Sequence, residues 1–306
     1  MDFTISASAQ QYLADLNQTQ AQINQAQSQV SSGLKVQQAS DDPSAITEIL
    51  QLQTTLAQNQ QIQTNLGSVS DELNAADSSL QSALQVVQNA ISIAAQGSSS
   101  SVSADDRTNF AQAVAGLQQT LVDITQTRFD GRYIFSGDDA TQPPYALDPT
   151  EPEGVQQLVT AGSTRTIQSV NGTSIAVAKT AAEIFDPQSN GAPTAQNTFA
   201  AINSLLTSLQ NNDTAGVNAA AASLQTASTY LNDQLAFYGE AENQISTATT
   251  LAQQFQLQEK SNLSQDQDAD IPTAALELTQ AQTQQQAELS VAAKIQQAPN
   301  LFSMLA

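Results

Sequence analysis

Asp266, Asp268 and Asp270 alternate along the chain, and Glu277 follows at the distance that completes positions 1, 3, 5 and 12 of a calcium-binding loop. Such a loop needs a glycine after its third acidic ligand, where this sequence has Ile271 followed by Pro272. The same residues serve without a metal if Asp270 caps a helix and Pro272 occupies its first turn, and that reading is preferred. A second set of carboxylates, Asp138, Asp139, Glu151 and Glu153, lies in a proline-rich stretch that reads as solvated surface. Asn171-Gly172-Thr173 matches a glycosylation acceptor, but a turn explains it fully. Beyond these there is little to work with. The 306 residues contain no His, Cys or Trp, so Ser-His-Asp and Cys-His catalysis cannot be written and most zinc and transition-metal ligand sets are missing. Carboxylates alone can hydrolyse glycosides, but in clefts normally lined by aromatic rings, and aromatics make up 5% of this chain. The expectation is no enzyme, no catalytic residue, no metal and no cofactor.

Eight Lys and Arg against 29 Asp and Glu give a formal charge of −21, which repels nucleic-acid phosphates and anionic lipid head groups. No apolar run is long enough to cross a bilayer, so neither nucleic-acid binding nor membrane insertion is expected. Met1-Asp2-Phe3-Thr4 lacks the basic and apolar regions of a cleavable signal, so the chain is expected to stay inside the cell or to leave by a route that cleaves nothing. Lack of Cys suits either course.

What remains is architecture. Six of nine prolines and six of twelve glycines fall between Gly131 and Pro193, which makes the chain two helical arms around an irregular insert. In the first arm Leu66, Leu73, Leu80, Val87 and Ala94 recur every seven residues, with Val69, Ala76, Ala83 and Ala90 three places after the first four. This a/d seam predicts a long helix opened by Asp41-Asp42-Pro43 and closed near Gly97. Ser103-Ala104-Asp105-Asp106 reads as the cap of a returning helix whose stripe is Phe110, Val114, Leu117, Leu121 and Ile124. In the second arm Val217, Leu224, Leu231, Tyr238, Ile245 and Ala252 form a matching seam, partnered by Ala220, Ala227, Ala241, Ala248 and Phe255. Arg132-Tyr133-Ile134-Phe135 predicts a strand, and Thr166–Val170 and Thr173–Val177 predict a hairpin across Asn171-Gly172.

The ends differ. Ile5, Ser8, Tyr12, Leu16, Thr19, Ile23, Ala26 and Val30 make a thin helical stripe, and so do Ile271, Ala275, Leu278, Ala281, Leu289, Ala292 and Ile295. Helices this polar are marginal alone, so the two ends should pair with each other and order fully only against neighbouring subunits.

Ser31-Ser32-Gly33-Leu34-Lys35 followed by Ala39-Ser40-Asp41-Asp42-Pro43-Ser44-Ala45 resembles the junction of terminal helix and rod in the flagellin superfamily. The Asp-Asp-Pro version, and Phe129-Asp130-Gly131-Arg132-Tyr133-Ile134-Phe135-Ser136-Gly137 continuing to Pro143-Pro144-Tyr145, are more similar to its hook-associated branch than to flagellin itself. The resemblance covers residues 1 to 136 and 197 to 306. It implies a mainly α fold, an elongated antiparallel helical bundle or coiled-coil rod with a small inserted β domain. Residues 1–40 with 268–306 would form the assembly domain, 41–131 with 195–267 the rod, and 132–194 the outer domain. The implied role is a structural subunit joining hook to filament outside the bacterial cell. It would be exported unfolded by a type III route and escorted by a chaperone. Its partners would be other flagellar subunits and copies of itself in a ring or helical array, with Ile5, Leu16, Ile23, Val30, Leu278, Leu289 and Ile295 carrying the packing. The alternatives are a short flagellin forming the filament itself or, further off, a secreted coiled-coil effector.

Overall fold

The computed structural model describes the backbone of residues 7–297 and the side chains of residues 10–294. The described residues form seven helices: α1 (Ala7–Ser32), α2 (Ala45–Gly97), α3 (Ala104–Thr125), α4 (Ala181–Phe185), α5 (Thr198–Gln210), α6 (Thr214–Gln267) and α7 (Ile271–Gln297). Eight short strands make four two-stranded antiparallel sheets. They are β1 (Arg128–Phe129) with β2 (Arg132–Tyr133), β3 (Tyr145–Leu147) with β4 (Val155–Gln157), β5 (Thr166–Gln168) with β6 (Ser174–Ala176), and β7 (Gln188–Ser189) with β8 (Ala192–Pro193). The fold is mainly α with a β-rich insert. Two compact units are distinguishable, one made of residues up to 58 and from 255 onwards, the other of residues 59–254.

The second unit is built on the heptad seams. Leu66, Leu73, Leu80, Val87 and Ala94 of α2 are at most 1% exposed, and Val217, Leu224, Leu231, Tyr238, Ile245 and Ala252 of α6 are buried with them. Removing each large side chain from water stabilises the fold by about 1.5–3 kcal/mol. The α6 seam stops earlier than its spacing suggests, because Phe255 is 43% exposed. Within the second unit Asn59 of α2 is buried and its Nδ2 donates to the Ala252 carbonyl at 3.0 Å. Gln63 donates to the same oxygen at 3.3 Å.

Between α2 and α3 the chain reverses. Ser103 caps α3 by accepting from the Asp106 N–H at 3.1 Å. Arg107, which no sequence pattern singled out, fastens the turn: its Nε donates to the Gly97 carbonyl at 2.9 Å, Nη2 to the Ser99 carbonyl at 2.7 Å and Nη1 to Asn212 Oδ1 at 2.5 Å. It therefore binds the end of α2 to the α5–α6 turn. Gly97 is required there, since a Cβ would stand 2.6 Å from Leu209 of α5.

In the insert, strands are too short to enclose a core of their own. An aromatic cluster supplies it: Tyr145 and Phe199 have ring centroids 4.9 Å apart, Phe199 and Phe185 6.1 Å, and Phe185 and Phe135 6.2 Å. The predicted strand Arg132–Phe135 is shorter in the structure, since pairing ends at Tyr133 and Ile134 and Phe135 turn into this core. The Asn171-Gly172 hairpin forms, with only Gly172 at positive φ (80°) and its N–H donating to the Ser169 carbonyl at 2.9 Å, so the turn is longer than a two-residue one. Two-residue turns with both φ values positive occur instead at Asp130-Gly131 and Asn190-Gly191, where the sequence reading had proposed none.

Replacing Arg107 by Met keeps the aliphatic stem but strands two carbonyls. It should lower unfolding stability by roughly 2–4 kcal/mol, measured by urea denaturation, and Arg107→Lys should recover less than half because one ammonium cannot reach all three acceptors.

Candidate assembly interface

The first unit is organised around α1 and α7, which pack along each other. Their stripes are thin because alanine, threonine and glutamine occupy positions that leucine fills elsewhere. Thr19, Ile23 and Ala26 of α1 and Ala274 and Ala281 of α7 are the buried residues of the pair. Such small side chains let two helices come close. Polar bonds complete the contact: Thr19 Oγ1 donates to Glu288 Oε1 at 2.9 Å, Gln284 Nε2 donates to Thr19 Oγ1 at 3.2 Å, and Gln285 Nε2 donates to Gln20 Oε1 at 2.7 Å.

A backbone clasp closes the far end. The Ala269 N–H donates to the Gly33 carbonyl at 2.9 Å, the Lys35 N–H to the Gln267 carbonyl at 2.7 Å, and Val36 is buried beneath. Gly33, at φ +76°, follows the last residue of α1 in the left-handed region that favours glycine. Next comes the acidic pair. Asp41 Oδ2 accepts from the N–H groups of Gln37 and Gln38, both at 3.0 Å, which holds its carboxyl below the usual range. Asp42 is held down first by the Ser44 hydroxyl and then by the Ala45 N–H, both bonded to its Oδ1. It caps α2 with Pro43 following, as expected of Asp-Asp-Pro.

The four residues considered for calcium are dispersed. Asp266 lies inside α6, Asp268 accepts from the Ser264 hydroxyl, and Asp270 accepts from Thr273 Oγ1 at 2.7 Å at the start of α7. Among the described residues no group of three or more potential ligands is placed to hold a metal ion. The carboxylates of the insert also part company. Asp138 accepts from Thr164, and Asp139 from Thr141. Glu153, read from the sequence as solvated, is instead half-buried beside Asp186, and burial followed by that neighbouring charge pushes its carboxyl up to about 7. Distance along the chain hid Asp186 from the sequence reading.

Of the residues singled out for assembly, Ile23 is buried within the α1–α7 pair and Leu16 and Leu278 are half-buried, whereas Val30 and Leu289 are exposed. The side chains of Ile5 and Ile295 lie outside the described residues. The pair also exposes Leu13, Leu276 and Val291, at 47%, 58% and 53%, which stripe-reading missed because they sit off the inner face. The pair thus has a buried inner seam and outward apolar side chains on both helices.

The described residues thus comprise a terminal helix pair, a heptad-built helical unit and a β-rich insert between the arms. The sequence profile of the bacterial flagellin N-terminal helical region matches residues 4–140. Over that stretch the chain is similar to bacterial flagellins. It is also 26% identical over 215 residues to flagellar hook-associated protein 3 of Escherichia coli strain K12, covering 69% of this chain and 67% of that protein. It is 25% identical over 257 residues to the protein of the same name from Salmonella typhimurium strain LT2, covering 79% of each. A solved flagellar hook-associated protein from Vibrio parahaemolyticus shares the fold with a TM-score of 0.66 and 17% identity, over 74% of this chain and all of that one.

Ala281→Leu should force α1 and α7 apart at a cost of about 1–3 kcal/mol. Amide exchange should accelerate along both helices while the centres of α2 and α6 keep their protection.

Proposed function

We propose that this chain is a non-catalytic structural subunit of the bacterial flagellum that joins hook to filament and assembles through its paired terminal helices. The observation that carries the reading is the α1–α7 pair itself. Its inner seam buries Thr19, Ile23, Ala26, Ala274 and Ala281, yet Leu13, Val30, Leu276, Leu289 and Val291 stay in water. Apolar side chains left on both helices of one pair favour burial against further copies, and contacts between unlike faces propagate an array rather than close a dimer. Relatives named for their association with the hook favour the junction over the filament-forming alternative.

On this reading residues 1–40 with 268–306 form the assembly domain, 41–131 with 195–267 the supporting helices and 132–194 the outer domain. Ile5 and Ile295 join the assembly surface, and Leu16, Ile23 and Leu278 support it from inside the pair. Export in an unfolded state by the type III route suits a chain without cysteines and with helices that depend on a partner. Placement outside the cell, hook and filament subunits as neighbours, and an export chaperone follow from the same reading. No described helix is long and apolar enough to cross a membrane.

Leu276→Glu combined with Leu289→Glu should leave helical content unchanged and abolish incorporation into flagella. Wild-type incorporation of that variant would refute the assigned surface. Quantitative mass spectrometry of purified flagella should find this chain at a small fixed number of copies per flagellum, retained after filaments are sheared away. A count matching the bulk filament would make it a flagellin.

A further inference from the structure

Asp186 closes α4 and is only 5% exposed, yet no cation meets it. Its carboxylate accepts from the Tyr145 hydroxyl at 2.7 Å and from Asn197 Nδ2 at 2.6 Å, and Gln188 Nε2 reaches its two oxygens at 3.1 and 3.2 Å. Against this set lies Glu153, which lines one cavity with Asp186 and whose carboxyl feels the Asp186 charge. Glu153 sits on the turn between β3 and β4, and that turn is fitted closely to the helices. Gln118 Nε2 of α3 donates to the Glu153 carbonyl at 3.3 Å, and Asn203 Nδ2 of α5 to the Pro152 carbonyl at 2.8 Å. Gly154, at φ +70°, has no room for a side chain, since a Cβ would stand 2.3 Å from Gln118 and 2.8 Å from Asn203.

We propose that the Glu153–Asp186 contact is a proton-operated latch on the insert, closed while Glu153 donates its proton to Asp186 and opened when that proton passes to solvent. Two facing carboxylates repel unless one is neutral, and the repulsion is strong where water is scarce. Among the groups around the pair, Asn197 bonds Glu153 and favours its charged form, a smaller effect than burial and Asp186, while Lys179, which lines a second cavity with Asp186, Glu183 and Tyr230, gives its Nζ to Gln234 at 2.7 Å. From its own hairpin come Glu151 and Tyr145; α3 presents Gln118, β7 presents Gln188, and the start of α5 presents Asn197 and Asn203, all neutral amides. A cavity of about 450 Å³ lined by Tyr145, Glu151, Glu153, Asp186 and Gln188 gives the proton its path to water.

The sign of the effect is fixed by the direction of the shift. Burial first, and Asp186 second, raise the Glu153 carboxyl from 4.5 to about 7. The folded state therefore holds a proton that the unfolded chain has already released. The latch's contribution to stability is fully present below the ordinary carboxyl value and is lost as pH rises through about 7. Mild acid tightens the insert and alkaline solution loosens it.

Hydrogen exchange on the full-length chain, corrected for the intrinsic rate and followed from about pH 5.5 to about pH 8.5, tests this. Protection of the amides of residues 151–157 should fall roughly tenfold or more across that range, with the centre of α2 unchanged. Glu153→Gln, which keeps a neutral donor in place, should stay protected throughout. A wild-type profile without pH dependence, or a Glu153→Gln profile identical to it, overturns the proposal. Carboxyl ¹³C titration gives a second reading: a Glu153 midpoint near 7 supports the latch, and one in the ordinary carboxylate range removes it.

Discussion

Burial of regularly spaced side chains along long helices is the interaction on which this molecule rests. In α2, Ala76, Ala83, Ala90 and Ala94 interleave with Leu66, Leu73, Leu80 and Val87, while α6 places Ala220, Ala227, Ala241, Ala248 and Ala252 between its larger residues. Alanine contributes little apolar area, so stability comes from length and regularity, with dispersion contacts repeated at every turn. Where the repeat thins, in α1 and α7, the same geometry persists with threonine and glutamine bonds in place of leucine. The two regimes differ in what they leave in water: the seams of the second unit are buried, whereas the terminal pair leaves Leu13, Leu276, Leu289 and Val291 exposed.

The insert obeys a different rule. Its hairpins bury little individually, and order depends on Phe135, Phe185, Phe199 and Tyr145 meeting beneath them. One member, Phe199, belongs to α5, so the insert's core is completed by a helix of the second arm. Tyr145 connects that core to polar structure, because its ring packs on Phe199 and its hydroxyl bonds Asp186. Additional ties run outward: Tyr230 of α6 donates to the Glu183 carbonyl at 2.7 Å, and Lys179 Nζ donates to Gln234 at 2.7 Å while lying over the Phe237 ring.

How far the sequence could be read follows from what each feature depends on. Period-seven seams are local, so Leu66 to Ala94 and Val217 to Ala252 were legible residue by residue. The Asp42 cap and the Ser103 cap were legible because capping needs only neighbours within three residues. Arg107, Asp186 and Asn59 were not, because each acts on a partner brought near by tertiary packing: Asn212, Tyr145 and the Ala252 carbonyl respectively. Where they are described, the terminal stripes fall on helices α1 and α7. Which of their residues look inward depended on how α1 and α7 meet, and that is why Leu289 and Val30 part from Ile23. Phe255 illustrates the limit from the other side, since its spacing is right for the seam yet it is 43% exposed.

Scarcity of cations links these parts. With eight Lys and Arg in the chain, the one salt bridge among the described residues joins Arg165 to Glu72. Carboxylates must therefore be managed by neutral donors or by burial. Where backbone N–H groups and hydroxyls converge, at Asp41, Asp42 and Asp148, the charge is favoured and the carboxyl is held low. Where packing comes first, the outcome reverses: Glu242, raised by burial and then by Asp77, and Glu153, raised by burial and then by Asp186, each meet another acid rather than a base. Acidity that fastens turns on the exposed chain thus becomes, inside it, a charge that the fold resists, and the same composition produces both effects.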